Sequence, residues 1–273
     1  MASFPSQAGA AENRQLGTAH CWLIHAATLA IAVTATSAAS LACTVPKEMT
    51  RLSVPLVKFA AAVHDKVPLT IIALGSSSTA GTGASNPMNS YPARLQIELS
   101  SIWPNEKIQV INAGVGGQLA NDMVARLDKD VLSKKPQLVI WQTGVNDAVR
   151  GVPVDAFKKT LAAGIDRVVK AGSDLVLIDQ QYYPKYEKLK NGALYLTAIR
   201  EVAQQYRVPV VQRYRIMKHL LDSQQFTTLT MLSPDQFHLN DTSYNCLGKL
   251  LAESLRGAAT TTTVEPMLEG KRL

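Results

Sequence analysis

From Pro68 onward the chain alternates short apolar runs with longer amphipathic stretches. The runs are Leu69–Leu74, Ile108–Asn112, Leu138–Trp141, Leu175–Ile178 and Val208–Val211, each rich in valine, isoleucine and leucine. A strand that faces water on one side alternates apolar and polar residues, whereas a strand covered on both sides does not. The five runs are therefore predicted as strands buried on both faces. Between them, apolar positions recur at helical spacing over Tyr91–Ser101, Leu119–Val131, Val154–Ala171 and Ala193–Tyr206. Further helices are expected at Tyr214–Leu221 and Thr242–Arg256. Strands and helices taking turns predict an α/β fold, with a three-layer, doubly wound parallel sheet of flavodoxin-like order 2-1-3-4-5.

The pattern before Pro68 is different. Cys21 to Val33 form an apolar run broken by His25 and Thr28, with Arg14 and His20 ahead and small residues from Thr34 to Ala42 behind. Charge, apolar stretch and small-residue exit describe a secretory signal, cut after Ala39 or Ala42. The run is too short and mixed for a membrane span, so none is expected in the mature chain. A cut after Ala42 places Cys43 first, where a lipid anchor attaches. A lipoprotein signal carries an aliphatic residue where this chain has Ser40, so simple export to the periplasm or medium is the expectation. The chain then divides into a signal at 1–42, a lead-in at 43–67, one domain at 68–257 and a flexible tail at 258–273.

Lysine and arginine outnumber aspartate and glutamate by 28 to 21, a net charge of +7. The positive residues are scattered in small groups such as Lys134-Lys135, Lys158-Lys159 and Arg213 to Lys218. No nucleic-acid-reading module accompanies them, so no nucleic-acid partner is expected. Cys21, Cys43 and Cys246 contain no Cys-x-x-Cys pair, which supports neither a metal site nor a disulfide framework. Cys246 reads as a buried apolar residue on a helix.

Open parallel sheets bind ligands outside the carboxyl ends of their strands. After the first run comes Gly75-Ser76-Ser77-Ser78-Thr79-Ala80-Gly81, and after the second Asn112-Ala113-Gly114-Val115-Gly116-Gly117. Thr143-Gly144-Val145-Asn146-Asp147 follows the third, and Asp235-Gln236-Phe237-His238 precedes the last helix. Together they hold the groups acyl transfer requires. A serine at its ordinary pKa needs a base to take its proton, and His238 is the candidate. Asp235, three residues earlier, reaches the other ring nitrogen if the loop makes one turn. Glycine-turn N–H groups and the Asn146 amide are candidate oxyanion donors. The glycines fit neither a dinucleotide fingerprint nor a phosphate loop, and Thr79 breaks the Gly-x-Ser-x-Gly elbow.

These four segments, in this order, resemble the four sequence blocks of the SGNH hydrolases, the superfamily of the GDSL esterases and lipases. The resemblance runs from about Leu69 to Leu255. It implies that Ser77 is the nucleophile, that His238 is the base, and that Asp235 orients it. It also implies an oxyanion hole made by the N–H groups of Ser77 and Gly117 and the side chain of Asn146. No cofactor or metal is implied, since every reacting group belongs to the protein. The superfamily's first block reads Gly-Asp-Ser, whereas this chain has Gly75-Ser76-Ser77. That difference leaves Ser76 and Ser78 as rival nucleophiles, although the glycine alignment favours Ser77.

The expected function is therefore an exported serine esterase acting on short acyl esters, such as acetyl groups on a polysaccharide. Lysophospholipase or thioesterase activity on the same fold is the alternative, as is a non-catalytic carbohydrate-binding protein. After the fourth strand, Gln180, Gln181, Tyr182 and Tyr183 are candidates for a substrate-binding lip, with a packed loop as the competing reading. Asp147 reads as a turn or helix cap. His64 and His219 follow no strand and are assigned to structure.

Overall fold

The computed structural model describes residues 43–260 apart from Lys190. The expected signal at 1–42 lies outside the described residues, as does the tail beyond Thr260. Five parallel strands form one sheet: β1 (Leu69–Gly75), β2 (Ile108–Gly114), β3 (Leu138–Gln142), β4 (Asp174–Ile178) and β5 (Val210–Val211). Their order is β2-β1-β3-β4-β5, as the alternating pattern predicts. The register brings Gly75 beside Gly114 and Leu74 beside Trp141, so three strand ends open onto one edge.

Side chains leave a strand alternately on opposite faces. Ile71 and Ala73 of β1 therefore join the cluster containing Ile140 and Val176, whereas Ile72 and Leu74 join the one containing Val139 and Trp141. The first cluster is covered by α2 (Val57–His64), α4 (Tyr91–Ile102) and α12 (Asp241–Thr260). The second is covered by α5 (Ala120–Ala125), α8 (Val154–Lys170) and α9 (Gly192–Gln205). On α8 the buried positions Phe157, Leu161, Ile165 and Val168 recur every three or four residues, which is one helical face. Burial of each large aliphatic side chain stabilises the domain by roughly 1.5–3 kcal/mol.

Four expectations change. The edge strand β2 exposes Gln109 and Asn112 instead of being buried on both faces. The stretch Leu119–Val131 is not one helix but α5 followed by α6 (Leu127–Asp130), interrupted at Arg126 (φ −99°, ψ 6°). The Arg126 side chain is occupied by the carbonyls of Gly75 and Ala113, at 3.1 and 2.8 Å. The helix α12 runs on through Ala258 to Thr260, where a flexible tail was expected. Finally, Cys43 and Cys246 form a disulfide across 203 residues, with Cα atoms 5.5 Å apart. The bond ties the lead-in, with its helix α1 (Lys47–Thr50), to α12. In this pairing the Cys43 sulfur is bonded to Cys246 and is not a free thiol.

Candidate active site

Ser77 opens the four-residue helix α3 (Ser77–Ala80) directly after β1. The turn is tight enough that a Cβ at Gly75 would overlap Thr79 Oγ1 and lie 3.2 Å from the Gln142 carbonyl oxygen. Thr79 Oγ1 donates to Gln142 Oε1 at 3.0 Å and lies 3.2 Å from the Tyr91 hydroxyl. Burial pushes the Tyr91 phenol up to about 12, which keeps it a neutral hydrogen-bonding group. Here Ser76 stands where the superfamily has aspartate, and the Thr79–Gln142–Tyr91 network ties the loop to β3 and α4. Ser76 and Ser78 are buried, and of the three serines only Ser77 is partly exposed.

His238 Nε2 lies 2.8 Å from Ser77 Oγ, and its Nδ1 lies 2.6 Å from Asp235 Oδ2. The loop makes the turn that the three-residue spacing requires, with Gln236 at φ 56°. The Ser233 N–H donates to the His238 carbonyl at 2.8 Å and closes it. Asp235 Oδ1 accepts from Ser233 Oγ at 2.7 Å and from the N–H groups of Phe237 and His238, each at 2.9 Å. Partial burial raises the carboxyl pKa, but the bonds from His238, Ser233 and the backbone outweigh it and hold the pKa well below the usual range. Phe237 packs edge-on against the His238 ring at 4.8 Å between centroids, and Tyr183 against Phe237 at 4.7 Å.

The loop after β2 begins with the Val115 N–H bonded to the Gly75 carbonyl, which places it beside the serine turn. Gly117 has φ 76°, a backbone that glycine adopts without a side-chain clash. Among the described residues, the N–H groups of Ser77 and Gly117 donate to no protein acceptor. For Ser77 this follows from its place at a helix start. Asn146, on α7 (Val145–Val149), donates Nδ2 to the Gln118 carbonyl at 2.9 Å, next to Gly117. One of its two N–H bonds is thus spent on orientation, and the other is left for a ligand.

Asp147 does cap a helix, but not its own. Both of its oxygens lie 3.2 Å from the Ala120 N–H at the start of α5. Burial lifts its carboxyl to about 6 against the bond from Ala120. Arg126, to which the sequence analysis assigned no role, reaches Gly75 O, Ala113 O and Gln118 Oε1 and so joins the ends of β1 and β2 to the Gly117 loop. Ser233 was also missed, although its nearness to Asp235 was a usable signal.

The expected lip is largely interior. Gln181 is fully buried and accepts from Arg213 Nη2 at 2.7 Å. Gln180 is equally buried, donates to the Gly144 carbonyl at 2.7 Å and accepts from the Tyr186 hydroxyl. Tyr183 is buried behind the histidine loop. Only Tyr182 keeps some exposure, with Lys218 Nζ 5.1 Å from its ring centre. The residue pattern could not separate a lip from a packed loop, and for Gln180, Gln181 and Tyr183 packing wins. His64 is exposed and bonded to Asp65, and His219 lies on α10 (Arg213–Asp222), both apart from this cluster.

A family model described as a non-GDSL lipase-like family matches residues 42–261. An arylesterase of Vibrio mimicus is 25% identical over 117 residues, 39% of this chain and 58% of that protein. An acetylxylan esterase of Geobacillus stearothermophilus is 34% identical over 76 residues, 28% of this chain and 32% of that protein. The chain thus spans between about a third and three fifths of these relatives' lengths. A two-domain esterase active on acetylated mannans shares the fold, with a TM-score of 0.68 at 24% identity, covering 81% of this chain and 59% of that one.

Proposed function

The chain belongs to the non-GDSL lipase-like family, of SGNH type, and from that premise we propose that it hydrolyses carboxylic esters through an acyl-enzyme on Ser77. The observation that carries this reading is the continuous relay from Ser77 Oγ through His238 to Asp235, at 2.8 and 2.6 Å. As Ser77 Oγ bonds to the ester carbon, its proton passes to His238 Nε2. Asp235 faces the other side of the ring and stabilises the imidazolium. The carbonyl oxygen takes the negative charge and meets the Ser77 N–H, the Gly117 N–H and Asn146 Nδ2. The intermediate collapses by breaking the bond to the leaving oxygen, which receives the proton from His238. Water then attacks the acyl-serine, giving its proton to His238. The carboxylic acid departs and Ser77 regains its hydrogen.

The substrate class proposed is a short acyl ester, with acetyl groups on a polysaccharide first. The acetylxylan esterase relative and the mannan-active neighbour support that choice. Export is proposed as well, supported by the Cys43–Cys246 disulfide, since such bonds persist in oxidising compartments. Among the described residues no helix is long and apolar enough to cross a membrane.

A fluorophosphonate probe tests the reading directly. It should label Ser77 alone, and Ser77→Ala should abolish both labelling and turnover of p-nitrophenyl acetate. An adduct mapped to Ser76 or Ser78 would displace the nucleophile. A probe-inert, catalytically silent wild type would favour the binding-only alternative.

A further inference from the structure

Arg150 follows α7, four residues after Asn146, and is exposed. Its guanidinium neighbours Gly117: a Cβ built on Gly117 would stand 3.4 Å from Nη2, ordinary van der Waals contact. Among the described residues this guanidinium has no hydrogen-bond or ion-pair partner. Other arginines nearby are engaged, with Arg126 on Asp130 and two carbonyls, and Arg200 on Asp179. The carboxylate nearest in sequence, Asp147, is buried and turned to the Ala120 N–H; its attraction to Arg150 is the least of the causes acting on its pKa. The loop after β2 also exposes Val115, and the last turn of α7 exposes Val149. An arginine alone at a surface is most often simply solvated. This one abuts the loop that carries a proposed oxyanion donor, beside apolar surface that lowers the local competition from water.

We propose that Arg150 is a specificity-determining residue that pairs with an anionic group, carboxylate or phosphate, carried by the ester close to its scissile carbonyl. The inference rests on the esterase reading above. A planar guanidinium presents two parallel N–H donors that match either anion in a forked pair. Such a pair at a partly exposed site is expected to change kcat/KM by ~10-fold. The effect falls with ionic strength, because the site is open to counterions.

The test compares esters that differ in charge and little else. On the acyl side the pair is p-nitrophenyl hemisuccinate against p-nitrophenyl butyrate. On the alcohol side 4-acetoxybenzoate and 4-acetoxyphenyl phosphate are set against methyl 4-acetoxybenzoate. In wild type the anionic member should be favoured on at least one side, and that side locates the pair. The better of the two alcohol-side anions identifies the group. Arg150→Gln should lower the anionic-to-neutral ratio ~10-fold, mainly through KM, and Arg150→Glu should lower it further. Ratios equal in all three proteins would overturn the proposal, as would a parallel loss on neutral and anionic esters. A wild type inert on every one of these esters, anionic and neutral, would sink the esterase reading instead. Calorimetric binding of monomethyl succinate then reads Arg150 separately: binding lost in Arg150→Gln sustains the pairing, and binding that is absent or unchanged rejects it.

Discussion

Ser77 stands on a turn held between strands, whereas His238 stands on a loop that closes on itself. The serine turn depends on residues far away in sequence: Thr79 on Gln142, and Gly75 and Ala113 on Arg126. Its neighbours Ser76 and Ser78 are buried. The histidine loop is built almost entirely within Ser233 to His238, where Asp235 Oδ1 gathers three donors no more than three residues away. The Asp235 side chain is 45% exposed. The position of Ser77 thus inherits the stability of the sheet, while His238 and Asp235 inherit a local hydrogen-bonded turn. Damage to the first should unfold the protein, and damage to the second should leave a folded but slow one.

Asp235→Asn tests this most strongly. Asparagine keeps an oxygen for the three donors but turns an NH₂ toward His238 Nδ1, which enforces the wrong tautomer. The expectation is a loss of ~10³–10⁴ in kcat in a protein that still folds, its melting temperature lowered only by the modest stability the Asp235 carboxylate supplies at neutral pH. A large drop in melting temperature would refute the self-held loop. Next comes Asn146→Ala, which removes the proposed donor to charge present only in the transition state. Its kcat should fall by roughly 10²–10³ with KM nearly constant. A rise in KM alone would assign Asn146 to ground-state binding. On the serine side, Gly75→Ala should destabilise by about 1–3 kcal/mol in urea titrations, because the added methyl meets Thr79 and backbone. Retention of full stability would show that the turn is looser than its contacts imply.

The two sides also differ in their response to acid. Burial raises Asp147 on the serine side from 3.8 to about 6. The folded state there binds a proton more tightly than the unfolded one, so its contribution is full below about pH 4 and lost as pH rises through about 6. Asp147→Asn should flatten that part of the pH–stability curve by up to about 3 kcal/mol. An unchanged slope in denaturant midpoints would place the shift elsewhere. Asp235 has the opposite sign: held below its usual range, it favours folding above that range and loses its contribution only in strong acid. The smallest effect is expected from Ser233→Ala. One of three donors to Asp235 Oδ1 goes, and kcat should fall ~5-fold, about 1 kcal/mol, with little change in unfolding midpoint. A shifted midpoint with normal kcat would make Ser233 a purely structural residue.

The division between held and self-held parts also explains what could be read in advance. Strands β1 and β3 are covered on both faces, so apolar continuity marked them. Asp235 and His238 are neighbours in sequence, so spacing marked their turn. Arg126 and Arg150 act on loops far from their own positions, and no local pattern identifies such partners. Gln181 and Tyr183 look like surface residues by type, and only the packing of Arg213 and Phe237 shows that they are interior. The Cys43–Cys246 bond was hidden for the same reason, since 203 residues separate its ends and no short motif links them.

That bond also bears on how the molecule withstands proteases. Both of its ends lie at the margins of the described domain, so the serine turn, the Gly117 loop and the histidine loop all fall within the covalent ring. A single proteolytic nick at any exposed position between Cys43 and Cys246, Asn86 for instance, opens the ring without releasing a fragment. The two pieces stay tethered and refold against each other at an effective concentration set by the tether, not by dilution. After such a nick Ser77 and His238 remain parts of one covalent molecule.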